Sequence, residues 1–164
     1  MAIDVSRLVG ALGGEVVGKV RLQKVVYLLN HLGLDSGFDY DYPHYGPYSA
    51  QLAEAVELEV IFGDLEEETR RRQSDGVPYT VYSASVDHPE PVGGLDVDGI
   101  RRASGIFEKY SATVLELAAT AYWLVHEEGI EDWRSELINR KGVKTKNGRT
   151  EMAVTLLHEL GLKL

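Results

Sequence analysis

The sequence predicts a mainly α-helical fold with a small β-hairpin, in which a winged-helix-like N-terminal half packs on a helical C-terminal half. Three observations predict it. Apolar residues recur with helical spacing along most of the chain, Asp75-Gly76 marks a hairpin turn, and three predicted helices precede that hairpin. The 164 residues suit a single domain over 1–164: one half over 1–85, a connecting loop over 86–97 rich in proline and glycine, and a second half over 98–164.

Three helices are predicted in the N-terminal half. Asp4 is expected to cap a short helix over 4–12. The second helix spans Lys19 to Leu32 and gathers leucines and valines on one broad face, into which Arg21 is expected to project. An aromatic-rich segment over 38–44 alternates as an extended strand would. Ser49 is then a good N-cap for a third helix, which runs to Phe62.

The segment that follows the third helix is compatible with two structures. Glu–Arg pairs four residues apart, such as Glu66 and Arg70, would support a helix. The Asp75-Gly76 pair and the run of residues 79–82, Tyr-Thr-Val-Tyr, favour strands instead. We therefore predict a hairpin of about 65–73 with 77–84.

The C-terminal half is predicted to be helical throughout. Its second helix begins after a capping Ser111 and is apolar nearly all round, so it should be the central buried element. A basic loop is expected between the last two helices. The four predicted helices are Asp98 to Lys109, Ala112 to Glu128, Glu131 to Arg140 and Gly148 to Leu160.

Composition bounds the class of protein. The chain has no cysteine, which removes disulfides and thiolate chemistry and fits a reducing compartment. Its first residues lack a basic leader followed by a long apolar run, so we expect no signal peptide. The most apolar stretch, Val114 to Val125, is shorter than the ~20 residues that cross a bilayer. These observations predict a cytoplasmic protein with no membrane partner.

No catalytic or metal-binding pattern stands out. Ser49, His44 and Asp41 are the residue types of a hydrolase, but Ser49 is better placed as a helix cap and no glycine elbow surrounds it. The five histidines show no spacing typical of metal ligands, and no phosphate-binding glycine motif is present. We therefore predict that the chain is not an enzyme and binds no metal or cofactor.

Charge placement argues against DNA binding through the third helix. A winged-helix protein usually presents that helix to the major groove with basic and amide side chains. Here it contains Gln51, Glu54, Glu57 and Glu59 and no lysine or arginine, in a chain of net charge −9. A basic patch in the C-terminal half is the alternative nucleic-acid contact. Its candidate residues are Arg140, Lys141, Lys144, Lys146 and Arg149.

The most informative residues are two cations of the second helix and a tyrosine-rich turn. A cation on an apolar helix face needs compensation, which tyrosine faces and a carboxylate would supply. We therefore expect Arg21 or Lys24 to pack beside the Tyr45–Tyr48 turn. Two interpretations stay open: a network that only locks helix to helix, or a partner-binding groove. The candidate partner-binding residues are Arg21, Lys24, Tyr45, Pro47, Tyr48 and Ser49.

These residues also support a resemblance. The run from Lys19 to Leu29, which contains Leu22-Gln23-Lys24, and the later Tyr45-Gly46-Pro47-Tyr48-Ser49 resemble the YwgA-type family of small prokaryotic proteins. That family is similar, more distantly, to the Panacea (SocA-like) domain of antitoxins. The match covers about 18–63 and, more loosely, 111–162.

The resemblance implies a small helical domain with a hairpin and a neutralising or adaptor role through protein contact. An aliphatic residue usually follows Gly-Pro in Panacea domains, where this chain has Tyr48. We predict a non-enzymatic interaction module, antitoxin-like or defence-associated, that binds a protein partner such as a toxin. The alternative is a transcription-associated winged-helix protein that contacts nucleic acid through the basic patch. Self-association stays open.

Overall fold

The computed structural model describes residues 1–164 as seven α-helices and one small antiparallel sheet, which confirms the mainly α prediction. A short 3₁₀ turn, Gly142–Thr145, follows the sixth helix. The elements in chain order are α1 (Val5–Ala11), β1 (Glu15–Val17), α2 (Lys19–Asn30), α3 (Ala50–Phe62), β2 (Glu66–Arg71), β3 (Pro78–Ser83), α4 (Val97–Phe107), α5 (Ala112–His126), α6 (Trp133–Lys141) and α7 (Arg149–Glu159).

The predicted hairpin is present, and it forms part of a larger sheet. Strands β2 and β3 pair antiparallel from Glu66 opposite Ser83 to Arg71 opposite Pro78. The carboxylate of Asp75 accepts the N–H of Val77 at 3.1 Å and so shapes the turn. Strand β1 adds to the other edge of β3, giving the order β1-β3-β2. Strand β1 was not predicted, because three residues are too few to display an alternating pattern.

Two of the three predicted helix N-caps form the expected side-chain hydrogen bond. The hydroxyl oxygens of Ser49 and Ser111 each accept an N–H of the first helical turn, as predicted. Asp4 makes no such bond, so that prediction is wrong. The Glu59 carboxylate of α3 instead accepts the N–H groups of Val5 and Ser6, at 2.7 and 2.8 Å. A carboxylate from another helix thus satisfies the free donors of α1 and favours its dipole.

Helix α5 is the centre of the fold, as its sequence predicts. It packs against α2, α6 and α7, and the buried core around it includes residues of both halves of the chain. Fully buried leucines such as Leu115 and Leu117 each contribute about 1.5–3 kcal/mol of hydrophobic stabilisation. Because neighbours surround α5, its polar Glu116 and Thr120 are buried as well. No helix combines the length and the apolar character needed to cross a membrane.

The segments that connect the other elements agree with the predictions only in part. Residues 86–97 contain no helix before α4 begins and no strand beyond a single bridge, as predicted. The segment over 38–44 is not a regular strand, and its only ladder contact is an isolated bridge between Asp41 and Tyr48. The expected basic loop after α6 is largely the 3₁₀ turn, which leads within a few residues into α7.

Candidate functional site

The connection between α2 and α3 folds back on itself above α5. The backbones of Asp41 and Tyr48 exchange two hydrogen bonds, at 3.0 and 2.9 Å, and so close the intervening residues into a turn. Gly46 has a φ of 93°, and a Cβ at this position would lie 2.7 Å from the hydroxyl of Thr120 on α5. Only glycine therefore permits this close approach of the turn to α5.

Gln23 joins α2 to the beginning of α3. Its side-chain amide donates to the carbonyl of Ser49 at 2.9 Å, and its Oε1 accepts the Ser49 N–H at 2.9 Å. A primary amide offers one donor and one acceptor side by side, so it can pair with a peptide unit in both directions. Gln23 is buried, although leucines and valines were the residues expected on the covered face of this helix. The Leu22-Gln23-Lys24 run, on which the family resemblance rests, is the feature of the sequence that could have indicated a structural role for Gln23.

Lys24 of α2 forms hydrogen bonds with the backbone of the turn. Its Nζ donates to the carbonyls of Tyr45 at 3.1 Å and Pro47 at 2.7 Å, and only 3% of the residue is exposed. The expectation that Arg21 or Lys24 packs beside the turn is thus met by Lys24. Carbonyl oxygens accept its hydrogen bonds, whereas tyrosine rings and a carboxylate were expected. Burial lowers the pKa of Lys24 to about 8; Glu116 opposes this change, and the charges of Lys141 and Lys144 add to it.

Arg21 lies elsewhere, so its place in the predicted cluster is wrong. Its guanidinium donates to the carbonyls of Phe107 at 3.1 Å and Tyr110 at 2.6 Å, at the end of α4. Free carbonyls at a helix C-terminus are favourable acceptors for a cation. Burial lowers the pKa of Arg21, and the charge of Glu108 opposes that change. A helical wheel identifies the face on which Arg21 lies but not the element that covers that face.

A buried carboxylate on α5 connects the turn to the C-terminal half. Glu116 Oε2 accepts a hydrogen bond from the Lys144 ammonium at 2.9 Å and forms an ion pair with the Lys141 ammonium at 3.2 Å. Burial by itself would raise the pKa of Glu116, but the two lysines outweigh it and leave the pKa below its usual value. Burial lowers the pKa of Lys141, which Glu116 partly offsets. No local sequence pattern indicates this contact between distant segments.

Most of the basic patch predicted for nucleic acid is engaged within the chain. Arg140 forms two hydrogen bonds of 2.8 Å with Glu128 and lies over the ring of Tyr42. Lys141 and Lys144 pair with Glu116, and Arg149 donates to two backbone carbonyls of the 3₁₀ turn. The side chain of Lys146 is exposed and makes no hydrogen bond or ion pair. Four of the five candidate nucleic-acid residues therefore have partners within the chain, and the acids that pair with Lys141 and Lys144 and most closely with Arg140 lie outside the patch in sequence.

A groove with a volume of about 940 Å³ lies between α2 and α3. Among the predicted partner-binding residues, Lys24, Tyr45 and Tyr48 line it, and 72% of Tyr45 is exposed. Pro47 and Ser49 are buried and do not line it. Ser49 Oγ also accepts the Leu52 N–H at 3.1 Å, so it acts as the predicted cap and is not free to be a nucleophile.

The walls of the groove are apolar and its rim is acidic. Exposed Val20 of α2 and Ile61 of α3 line the groove, and 74% of Ile61 is exposed. Exposed Glu54 and Glu57 of α3, with Glu67 of β2, line its edge. Exposed apolar side chains bounded by charged residues are typical of protein-interaction surfaces. The sequence analysis identified the glutamates of α3 but not the apolar residues exposed between them.

Comparison with known proteins finds two similar sequences, and no family model matches the chain. The chain is 32% identical over 133 residues to a DNA ADP-ribosyl glycohydrolase of Thermus aquaticus; the match covers 78% of this chain and 36% of that protein. It is 28% identical over 124 residues to the uncharacterised protein YwgA of Bacillus subtilis, covering 73% of this chain and 70% of YwgA. The second similarity supports a YwgA-like family.

The two similarities differ in what they span. The chain spans about a third of the length of the glycohydrolase but most of YwgA. Because the matches cover 78% and 73% of this chain, they must share at least half of it. Much of the same folded unit therefore occurs inside a long protein and as the greater part of a small one.

Proposed function

We propose that this chain is a non-enzymatic protein-interaction module that binds a segment of a partner protein in the groove between α2 and α3. The observation that carries the proposal is the apolar lining of that groove. Tyr45, Tyr48, Val20 and Ile61 expose apolar or aromatic surface there, and the side chains of Tyr45 and Ile61 are mostly exposed. Tyrosine is among the residues most enriched in protein interfaces.

Charge at the rim defines the chemistry of the partner. Glu54, Glu57 and Glu67 form no ion pair within the chain, and the net charge of −9 extends the negative potential over the surface. A partner segment that places apolar residues in the groove and basic residues against these glutamates would be complementary. Attraction between opposite charges would also accelerate its association at low salt.

The arrangement of the N-terminal half supports describing it as winged-helix-like. The order α1-β1-α2-α3-β2-β3, with a sheet β1-β3-β2, follows the predicted sequence of three helices and a hairpin. Under this description α3 occupies the position of a recognition helix. Its glutamates and exposed Leu58, Ile61 and Phe62 suit a protein partner better than a phosphate backbone.

Nucleic-acid contact through the basic patch is the weaker alternative. Arg140, Lys141, Lys144 and Arg149 are each committed to partners within the chain. Freeing them would break existing ion pairs, and their acids would repel phosphate. Lys146 alone offers too little positive charge to hold a duplex.

An antitoxin-like or adaptor role is the more specific form of the proposal. The distant resemblance to the Panacea domain of antitoxins motivates it, and a toxin is then the expected partner; YwgA itself is uncharacterised. The partial similarity to the DNA ADP-ribosyl glycohydrolase is compatible with the same idea. A unit found both within a longer enzyme and as most of a small protein suits an accessory role beside an activity located elsewhere.

The test is affinity purification of the chain from its native host, with two single variants in parallel. Ile61→Asp places a charge in the groove, and Ile138→Asp places one at an exposed isoleucine of α6 outside it, where 56% of the side chain is exposed. We expect a specific protein to be recovered with the wild type and with Ile138→Asp but not with Ile61→Asp. A charge in an apolar contact should weaken binding at least about tenfold.

Two results would contradict the proposal. One is repeated recovery of the chain alone, and the other is a partner retained equally by both variants. Circular dichroism of both variants checks that each is folded. Because Ile61 and Ile138 are both largely exposed, neither substitution should unfold the chain.

A further inference from the structure

The end of the groove beneath the tyrosine turn contains more positive than negative charge. Three ammonium groups, those of Lys24, Lys141 and Lys144, gather around one carboxylate, that of Glu116. Glu116 pairs with Lys141 and Lys144, whereas Lys24 contacts only the carbonyls of the turn. Buried cations without an equal number of anions are costly, so this cluster favours the arrival of a further negative group.

The same cluster also contains polar groups whose hydrogen-bond donors are not all paired. An ammonium group has three donors, of which Lys24 uses two and Lys144 uses one. The hydroxyl of Thr120 is fully buried and makes no hydrogen bond. A Cβ on Gly46 would lie 2.7 Å from that hydroxyl, 3.5 Å from Lys24 Nζ and 3.6 Å from Lys141 Nζ. The unpartnered hydroxyl and two cations therefore surround the underside of the turn.

This charged end opens into the groove. Lys24, Glu116 and Lys144 line it together with Tyr45 and Tyr48. The opposite end lies near the sheet, because α2 begins just after β1 and α3 leads into β2. A segment in the groove would thus have Lys24 and Lys144 at one end, and Glu67 of β2 together with the exposed Lys19 near the other.

We propose that Lys24 and Lys144 form a carboxylate-binding subsite, which holds an acidic side chain or the C-terminal carboxylate of the partner segment and so fixes its direction in the groove. The idea rests on the proposed function, in that the groove must accept a protein segment. A carboxylate is favoured over phosphate because the surrounding walls are apolar and aromatic, and Glu116 would repel a dianion. Burial is the main cause of the lowered pKa of Lys24, and the positive charges of Lys141 and Lys144 lower it further.

A fragment titration tests the subsite without the partner. The probe is 3-phenylpropionate, which has an apolar ring and one carboxylate, followed by ¹H–¹⁵N NMR at the amides of Lys24, Tyr48 and Lys144. We expect saturable shifts at these positions, and none with the neutral isostere 3-phenylpropanamide. Lys144→Gln should weaken binding about tenfold, since a charge-assisted hydrogen bond is lost. Lys144 is half-exposed and Glu116 would keep Lys141, so this variant should fold.

The matched control is Lys146→Gln, at an exposed lysine two residues away whose side chain makes no hydrogen bond or ion pair, and this variant should bind as the wild type does. The proposal is overturned if the shifts do not saturate, if the amide binds equally well, or if Lys144→Gln retains full affinity. Tighter binding of inorganic phosphate at the same amides would overturn the carboxylate assignment. Recovery of the wild-type chain alone in the purification experiment, or a partner retained equally by Ile61→Asp and Ile138→Asp, would instead contradict the groove as a whole, so the two failures are distinguishable.

Discussion

The two helices that flank the groove reverse the usual rule of burial in opposite ways. Helix α2 buries polar side chains, with Gln23 and Lys24 almost inaccessible. Helix α3 exposes apolar ones, including Leu58, Ile61 and Phe62, and buries only Leu52 and Val56. Buried polar groups and clustered exposed apolar groups are both informative departures from the average protein.

The contrast between the two helices separates side chains that stabilise the fold from side chains that are left uncovered. The side chains of Gln23 and Lys24 are hydrogen-bonded within the chain, to the backbone of the segment 45–49. They therefore form the lock that one interpretation of the sequence expected. Ile61 and Phe62 have no comparable cover, so under the proposed function α3 is the side of the groove that would supply surface for a partner. The lock on α2 would then hold the turn and the groove wall in place.

The largest expected effect comes from removing the lock. In Gln23→Ala the Ser49 N–H loses its acceptor inside the protein, while the Ser49 carbonyl keeps the N–H of Ala53. One orphaned donor plus the lost side-chain packing should lower the free energy of unfolding by roughly 2–4 kcal/mol. Urea denaturation measures the change.

Gln51→Ala is the matched control for that experiment. Gln51 also accepts a backbone N–H, that of Asp39, but it is exposed, and water can replace the bond. Its loss should cost less than about 1 kcal/mol. Equal destabilisation by the two substitutions would show that burial of Gln23 does not matter and would remove the contrast between the helices.

The second prediction uses pH. The Lys24 pKa is about 8 in the folded protein, against an ordinary value of 10.5. Above pH 8 the folded chain has therefore released a proton that the unfolded chain still binds, so stability from this group rises with pH. Relative to Lys24→Met, the wild type should gain about 2 kcal/mol between pH 7 and 9.5. Chemical denaturation across this range measures the difference.

Lys19→Met provides the comparison on the same helix. It removes an exposed lysine and leaves the buried cluster unchanged. A constant stability difference between wild type and Lys24→Met at all pH values would mean that the Lys24 ammonium is well solvated, and that α2 does not bury a charge.

Much of the fold could be predicted from local sequence signals. The caps at Ser49 and Ser111, the Asp75-Gly76 turn and the apolar α5 depend on residues close in sequence, and the structure agrees with each. The predictions that failed concern contacts between residues that are distant in sequence. The cap of α1 comes from Glu59, more than fifty residues away, and β1 is recognisable as a strand only by its pairing with β3.

The same distinction between local signals and distant contacts applies to the candidate site. The sequence indicated a cation beside the tyrosine turn, and Lys24 is there. It did not indicate that Arg21 would reach the end of α4 or that Glu116 would neutralise Lys141 and Lys144. Periodicity identifies which face of a helix is covered, but only tertiary packing decides which side chain covers it.

The smallest expected effect is also the most diagnostic for α3. Ile61→Ser and Phe62→Ser should each change the free energy of unfolding by less than about 1 kcal/mol, because about three quarters of each residue is exposed. Leu52→Ala on the same helix, where 1% is exposed, should cost about 2–5 kcal/mol. Losses of several kcal/mol at Ile61 would mean that this residue is already covered in solution by a second copy of the chain. The unfolding midpoint would then depend on protein concentration, and the partner of the groove would be the chain itself.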